Sequence, residues 1–170
     1  MTRHNTLLKF SIAFALVCAL TACGFHQRGA TDQFNLPFRS ILLGFPESSL
    51  LGVELKRNIR ASGSTVVVSD PVLAEARLEV LSEAQGKEIL SLNSLGRVRE
   101  NLLTYNLRFR VVNAQGEEVL APTEIALKRS ITFNESQLLA KEGEEAMLYR
   151  NMQTDLVQQI MRRLAAIKPK

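Results

Sequence analysis

Cysteine and histidine are nearly missing from this chain: there are two of each in 170 residues, and none beyond His26. Cys18 lies inside the apolar N-terminal stretch and Cys23 just past it, so the body of the chain holds no pair of thiols to bridge and its stability must come from packing. With only His4 and His26, a histidine general base, a Ser-His-Asp triad or a His/Cys zinc site has almost no raw material. Aspartate is thin as well. After the first 22 residues only Asp32, Asp70 and Asp155 remain, and the glutamates fall mostly in helical, solvated positions, which nominates no carboxylate pair for catalysis. A glycine-rich phosphate loop, internal repeats and a low-complexity tail are all wanting. The expectation is a protein that is not an enzyme and carries neither metal nor cofactor.

An uninterrupted apolar run long enough to cross a bilayer is also lacking. The stretch from Phe10 to Leu20 falls short of the roughly 20 residues a spanning helix needs, and polar Gly24-Phe25-His26-Gln27-Arg28 follows closely. Preceded by Arg3 and Lys9 and ended by small residues, it has the layout of a bacterial export signal. Leu20-Thr21-Ala22-Cys23 resembles the lipobox of bacterial lipoproteins, which implies cleavage before Cys23 and a covalent lipid on its sulfur and new N-terminus. Several acyl chains would meet the need for more than one membrane signal. Gly24, where an aspartate would resemble an inner-membrane retention signal, points to the inner leaflet of the outer membrane. Loss of residues 1–22 removes Arg3 and Lys9 and lowers the formal charge from +4 to +2, so the basic balance is no argument for nucleic acid. The 148 residues left suffice for one domain: 23–37 as lipidated cysteine and tether, 38–170 as a single folded body.

Within that body, Phe38 to Phe45 reads as a first strand. Ser49 then offers a helix cap, Leu51, Leu55 and Ile59 recur at helical spacing, and Gly63 supplies a stop. Thr65 to Val68 is a short β-branched strand before the turn signal Ser69-Asp70-Pro71, and Arg77 to Glu83 alternates as a strand exposed on one face. A less regular stretch follows through Gly86 and Gly96. Leu103, Tyr105, Leu107, Phe109 and Val111 form the clearest period-two pattern, a long half-buried strand. Asn113-Ala114-Gln115-Gly116 turns the chain into a second long strand on Val119, Ile125, Leu127, Ile131 and Phe133. From Asn134 or Glu135 toward Ile167, apolar residues at steps of three or four mark a long amphipathic helix, with Gly143 a place for a kink or a break. Its glutamates gather early and Arg162, Arg163 and Lys168 late, which suits the helix dipole. The order predicts an α+β two-layer sandwich, two helices packed on one face of a four- or five-stranded, mainly antiparallel sheet with a long hairpin.

A three-residue loop, Ala114 to Gly116, pairs odd positions with odd, setting Val111 opposite Val119, Tyr105 opposite Ile125 and Leu103 opposite Leu127. Continued to the far end, this register places Arg99 opposite Ile131, Arg97 opposite Phe133 and Asn101 opposite Arg129, with Lys141 close behind. Guanidinium groups grip phosphate in two-pronged fashion while apolar neighbours cover hydrocarbon, so Arg97, Arg99, Arg129 and Lys141 are the candidate ligand-binding set. The same arginines also read as solvated sheet ends, and a bulge between Gly96 and Asn101 would turn the faces and undo the grouping.

Cys23-Gly24-Phe25-His26-Gln27-Arg28-Gly29, Leu92 to Glu100, the Tyr105-to-Val111 strand, Leu139-Ala140-Lys141-Glu142 and Tyr149-Arg150-Asn151-Met152 together resemble the lipopolysaccharide-assembly lipoprotein family LptE across most of the chain after residue 22. The resemblance implies an outer-membrane lipoprotein that plugs and assists assembly of the β-barrel LptD and binds lipopolysaccharide on its way to the outer leaflet. It implies lipopolysaccharide contact through a lysine early in the last helix, matched by Lys141, and a basic residue before the long strand. At that second position alignment on Gly96 puts Ser94, so Arg97 or Arg99 must serve instead. A pilot lipoprotein for another secretion channel shares anchor and size, and a periplasmic lipid carrier would need an enclosed cavity that the helical layer fills.

Overall fold

The computed structural model describes residues 34–133 and 138–168. The export signal, Cys23, most of the tether and the first residues expected of the last helix lie outside the described residues. Five strands and two long helices follow in the order β1 (Ser40–Gly44), α1 (Leu50–Ser62), β2 (Val66–Val68), β3 (Ala76–Leu92), β4 (Val98–Asn113), β5 (Glu118–Thr132) and α2 (Leu138–Ala165). The sheet order is β2-β1-β3-β4-β5. It is mixed. The short strands run parallel, β1 with β2 and β1 with β3, while β3, β4 and β5 form a long antiparallel meander.

Local chemistry accounts for the elements. The Ser49 hydroxyl accepts from the Gly52 amide at 3.0 Å to start α1, and Gly63, at φ 74°, ends it by donating its amide to the Arg60 carbonyl. Leu51, Leu55 and Ile59 of α1 and Met152, Leu156, Ile160 and Leu164 of α2 are all but fully buried on Leu103, Tyr105, Leu107 and Phe109 of β4. Burying each such aliphatic side chain contributes roughly 1.5–3 kcal/mol relative to leaving it exposed. Glu54 ties the helices together, accepting from Gln153 Nε2 at 2.6 Å and Thr154 Oγ1 at 2.8 Å. α2 runs unbroken through Gly143.

Two expectations need correction. First, β3 does not stop near Glu83 but continues to Leu92, and the supposed irregular stretch is strand. Leu81 is bulged, so the residues facing the helices change from Leu78 and Val80 to Glu83, Gln85, Lys87 and Ile89. The alternation changes parity in mid-strand and then runs through polar residues, which hides it from a search for period-two hydrophobicity.

Second, the β4–β5 register is displaced by two residues. The turn is as expected, with Gly116 at φ 84° and the Asn113 amide donating to the Glu117 carbonyl at 2.9 Å. Beyond it, however, Val111 pairs with Leu120 and Phe109 with Thr123, each step adding one residue on β5. Pro122 sits in the second of these bulges, where a residue without an amide hydrogen cannot serve the ladder. Consequently Tyr105 faces Leu127 rather than Ile125, Leu103 faces Arg129 rather than Leu127, and Asn101 faces Ile131 rather than Arg129. One shift would have turned the apolar face outward. Two restore it, which is why odd residues still meet odd residues and the core remains coherent.

Candidate functional site

The candidate residues lie toward the end of the meander far from the Asn113 turn. There the corrected register moves each of them. Phe133 donates its amide to the Arg99 carbonyl at 2.8 Å, so Arg99 stands beside Phe133, not Ile131. Arg97 has no place opposite Phe133, because it closes the β3–β4 turn, receiving the Asn93 amide at 2.8 Å on its carbonyl and donating its own amide to Asn93 Oδ1 at 3.0 Å. An irregularity does fall between Gly96 and Asn101: Glu100 pairs with Ser91 but Val98 with Leu92, leaving Arg99 as the extra residue on β4. The grouping of Arg97 and Arg99 with Ile131 and Phe133 on one regular surface is therefore replaced by a bulged hairpin tip.

Lys141 fulfils its expectation of proximity. From the second turn's start on α2 its ammonium reaches back to β5, donating to Thr132 Oγ1 at 3.2 Å and to Glu144 Oε2 at 2.8 Å. Its side chain is only 17% exposed. With Asn101, Ile131, Phe133 and Glu145 it lines a pocket of about 80 Å³ between α2 and the sheet. That volume admits a functional group or the end of a chain, not a whole glycolipid.

Arg129 is held elsewhere. Its guanidinium meets Asp155 on α2 at 2.7 Å, in the row Lys87–Leu103–Arg129 across the three long strands. Lys87, which lies beyond the strand end that the sequence pattern predicts, pairs with Glu145 at 2.6 Å. Beside it Tyr149 donates its hydroxyl to the Gly86 carbonyl at 2.7 Å. Burial, and after it the Glu145 carboxylate, raises its pKa and keeps it a donor. Three of the cations at this end are thus paired with acids of α2, whereas Arg99 makes no ion pair among the described residues. The Arg129–Asp155 pair, with both side chains more than 40% exposed, is weak and exchangeable, contributing about 0.2–1 kcal/mol, so a phosphate could displace its carboxylate.

Among the described residues no cluster of three or more His, Cys, Asp or Glu could hold a metal ion, and no helix is long and apolar enough to cross a membrane. A cavity of about 410 Å³ is an open groove between β1, β2 and the start of α1, lined by Leu42, Phe45, Val53, Lys56 and Val67. It contains none of the candidate residues.

Residues 38–164 match the family described as LptE: Lipopolysaccharide-assembly. Curated relatives include the LPS-assembly lipoprotein LptE of Photorhabdus laumondii, 25% identical over 97% of this chain and 88% of that protein, and that of Yersinia pestis, 28% identical over 97% and 78%. Among solved structures, lipoprotein B of Nitrosomonas europaea is 38% identical with a TM-score of 0.72, covering 84% of this chain and 91% of its own. A minor lipoprotein of Acinetobacter baumannii is 25% identical with a TM-score of 0.63, covering 77% and 93%.

Proposed function

Because the chain belongs to the lipopolysaccharide-assembly family LptE, whose curated relatives are named LPS-assembly lipoproteins, we propose that it is an outer-membrane lipoprotein, anchored by lipid on Cys23 after loss of residues 1–22. It sits in the lumen of an LptD-like barrel, assists that barrel's assembly, and binds lipopolysaccharide during delivery to the outer leaflet. The observation that carries the binding part is the position of Lys141: a largely covered ammonium on α2, brought to the end of β5 beside the strand that bears Arg99. Arg97 stands in the adjoining turn and Arg129 one row inward. Together these groups offer charge-assisted hydrogen bonds to phosphate at the rim of a sheet whose apolar side chains lie close by.

The proposal is tested by replacing Lys141, Arg97 and Arg99 with glutamate together. Each charged hydrogen bond contributes roughly 1.5–3 kcal/mol, so lipopolysaccharide co-purification should fall about tenfold or more while the barrel still co-purifies from detergent-solubilised outer membrane. Undiminished lipopolysaccharide binding would reject the site. An oligomeric channel of another kind as the stoichiometric companion would favour the pilot-lipoprotein reading. Intact-mass measurement of the processed chain checks the anchor, since an unacylated Cys23 removes the membrane address.

A further inference from the structure

β5 closes one side of the sheet, and no strand among the described residues pairs with its outer edge. From Thr123 to Thr132 its ladder with β4 runs without a shift. The Phe133 amide, donating to the Arg99 carbonyl, fixes the phase of that ladder: odd residues bond to β4, and the amides and carbonyls of Glu124, Ala126, Lys128 and Ser130 point outward. All four residues are exposed. Glu124 and Lys128 stand symmetrically about Ala126 on the sheet face away from the helices, and neither side chain makes an ion pair or hydrogen bond among the described residues. About 13 Å of strand separates them, so they do not meet within one chain. A long open edge is normally blunted, and here two arginines cover its carbonyls: Arg129 Nη1 donates to the Lys128 carbonyl at 2.9 Å, and Arg163 Nη1 of α2 to the Glu124 carbonyl at 3.1 Å.

We propose that this edge pairs with a second copy of the chain, β5 against β5, antiparallel about a twofold axis through Ala126, and that Arg129 and Arg163 are latches that keep it closed in the single chain. The occupant follows from the order of charges. Antiparallel addition centred on Ala126 sets Glu124 opposite Lys128 of the second copy and Lys128 opposite its Glu124, so both unpaired side chains gain a partner. These are also the positions whose backbone groups point outward, so each such pair exchanges two main-chain hydrogen bonds. Glu124 then lies between Lys128 of the second copy and Arg108, its neighbour on β4. On the helix side Ile125 meets Leu127 of the second copy, which prolongs the apolar row that Leu107 and Ile125 begin. The register is specific. A slip of two residues either way sets Lys128 against Ala126 or against Pro122, which has no amide hydrogen, and both charge pairs are lost. Because the contact is the same patch on both copies, assembly stops at the dimer, and the remaining outer strand, β2, is only three residues long.

Ala126→Cys supplies the readout. In the processed chain Cys18 is gone and Cys23 carries lipid, so the new thiol is free to meet only its own copy. A hydrogen-bonded antiparallel pair holds its Cα atoms about 5.5 Å apart, which a disulfide spans without strain. Mild oxidation of the detergent-solubilised chain should link Ala126→Cys into a dimer at least about tenfold faster than Gln115→Cys on the exposed Asn113 turn, which reports chance encounters. Glu124→Lys in the Ala126→Cys background should slow linking about tenfold, because lysine then faces lysine, and adding Lys128→Glu should restore it. A chain that had merely lost its fold would not be rescued by that second exchange. Arg163→Gln should speed linking by about threefold, since the Glu124 carbonyl is released. No excess of linking at position 126 over position 115 overturns the pairing, and failure of the double exchange to restore it overturns the register. Unchanged linking in Arg163→Gln overturns the latch. Protection of position 126 from alkylation only when a barrel co-purifies, with the chain alone unlinked, assigns the edge to another protein and overturns the dimer. Lipopolysaccharide enters none of these readouts, so the function proposed above stands or falls separately.

Discussion

The turn at Asn93–Arg97 and the turn at Asn113–Glu117 share one frame. Each is a three-residue loop with a left-handed glycine, at φ 73° and 84°, and each asparagine side chain accepts from the backbone amides two and four residues on. What surrounds them differs. The Asn113 turn lies beside Phe38, Val119 and Ile167 at the end of the sheet that the helices cover, where Phe109, Val111 and Val112 are buried. The Asn93 turn projects past that cover with its leucines in solvent. Turn geometry is thus a local property of Asn-x-x-Gly, whereas cover is a property of the fold, and cover separates an end packed under the helices from an end left in solvent.

The contrast breaks most visibly at the core. Phe109→Ala, at a fully buried position on the covered end, should cost about 3–5 kcal/mol in denaturant unfolding, while Leu95→Ala on the open tip should stay within about 0.5 kcal/mol. Comparable losses at the two positions would mean that the tip is packed after all. A finer version uses the shared frame itself. Alanine at either glycine forces a side chain into the left-handed region, at about 1–2 kcal/mol. Gly116→Ala should show most of that globally, and Gly96→Ala clearly less, because an uncovered tip can relax by fraying. Hydrogen exchange of the amides around each turn checks where the strain goes.

The same contrast explains what could be read from the sequence. The helices, the first two strands and the Asn113 turn were legible because their signals are local: a serine cap, a stopping glycine, heptad-like spacing and a left-handed glycine in a hairpin loop. β4 was legible because Leu103 to Val111 face a continuous helical layer, so burial enforces strict alternation. The distal half of β3 was not, because it meets α2 through polar contacts, Lys87 with Glu145 and the Gly86 carbonyl with Tyr149, and the bulge at Leu81 changes its parity. Gly86, in the stretch expected to be less regular, is a strand residue lying so near Thr104 that a β-carbon there would meet its hydroxyl at 2.6 Å. Of the candidate site, the approach of Lys141 to the strand end was legible from chain order alone. The partners of Arg97, Arg99 and Arg129 were not, since each depended on a register that the two bulges of β5 displace. Lys87 was missed with its strand.

Between the covered and open ends lies the row Lys87–Leu103–Arg129, and it supports the smallest and most discriminating prediction. Arg129 is tied to Asp155 at 2.7 Å with both side chains more than 40% exposed, so the pair contributes only about 0.2–1 kcal/mol to stability. Asp155→Asn should therefore move the unfolding midpoint very little. Its effect on binding depends on which end the row serves. If Arg129 belongs with Lys141 and Arg99 in holding phosphate, releasing it from the carboxylate should raise affinity for lipopolysaccharide, by a margin that shrinks as salt is added. If the row belongs to the core end, where Arg129 merely pins α2 to β5, affinity should stay constant and the small loss of stability should be the whole effect. Titration of lipopolysaccharide at low and high ionic strength, with the Asp155→Asn chain beside the unsubstituted one, separates the two, because only a freed guanidinium gives a gain that salt removes.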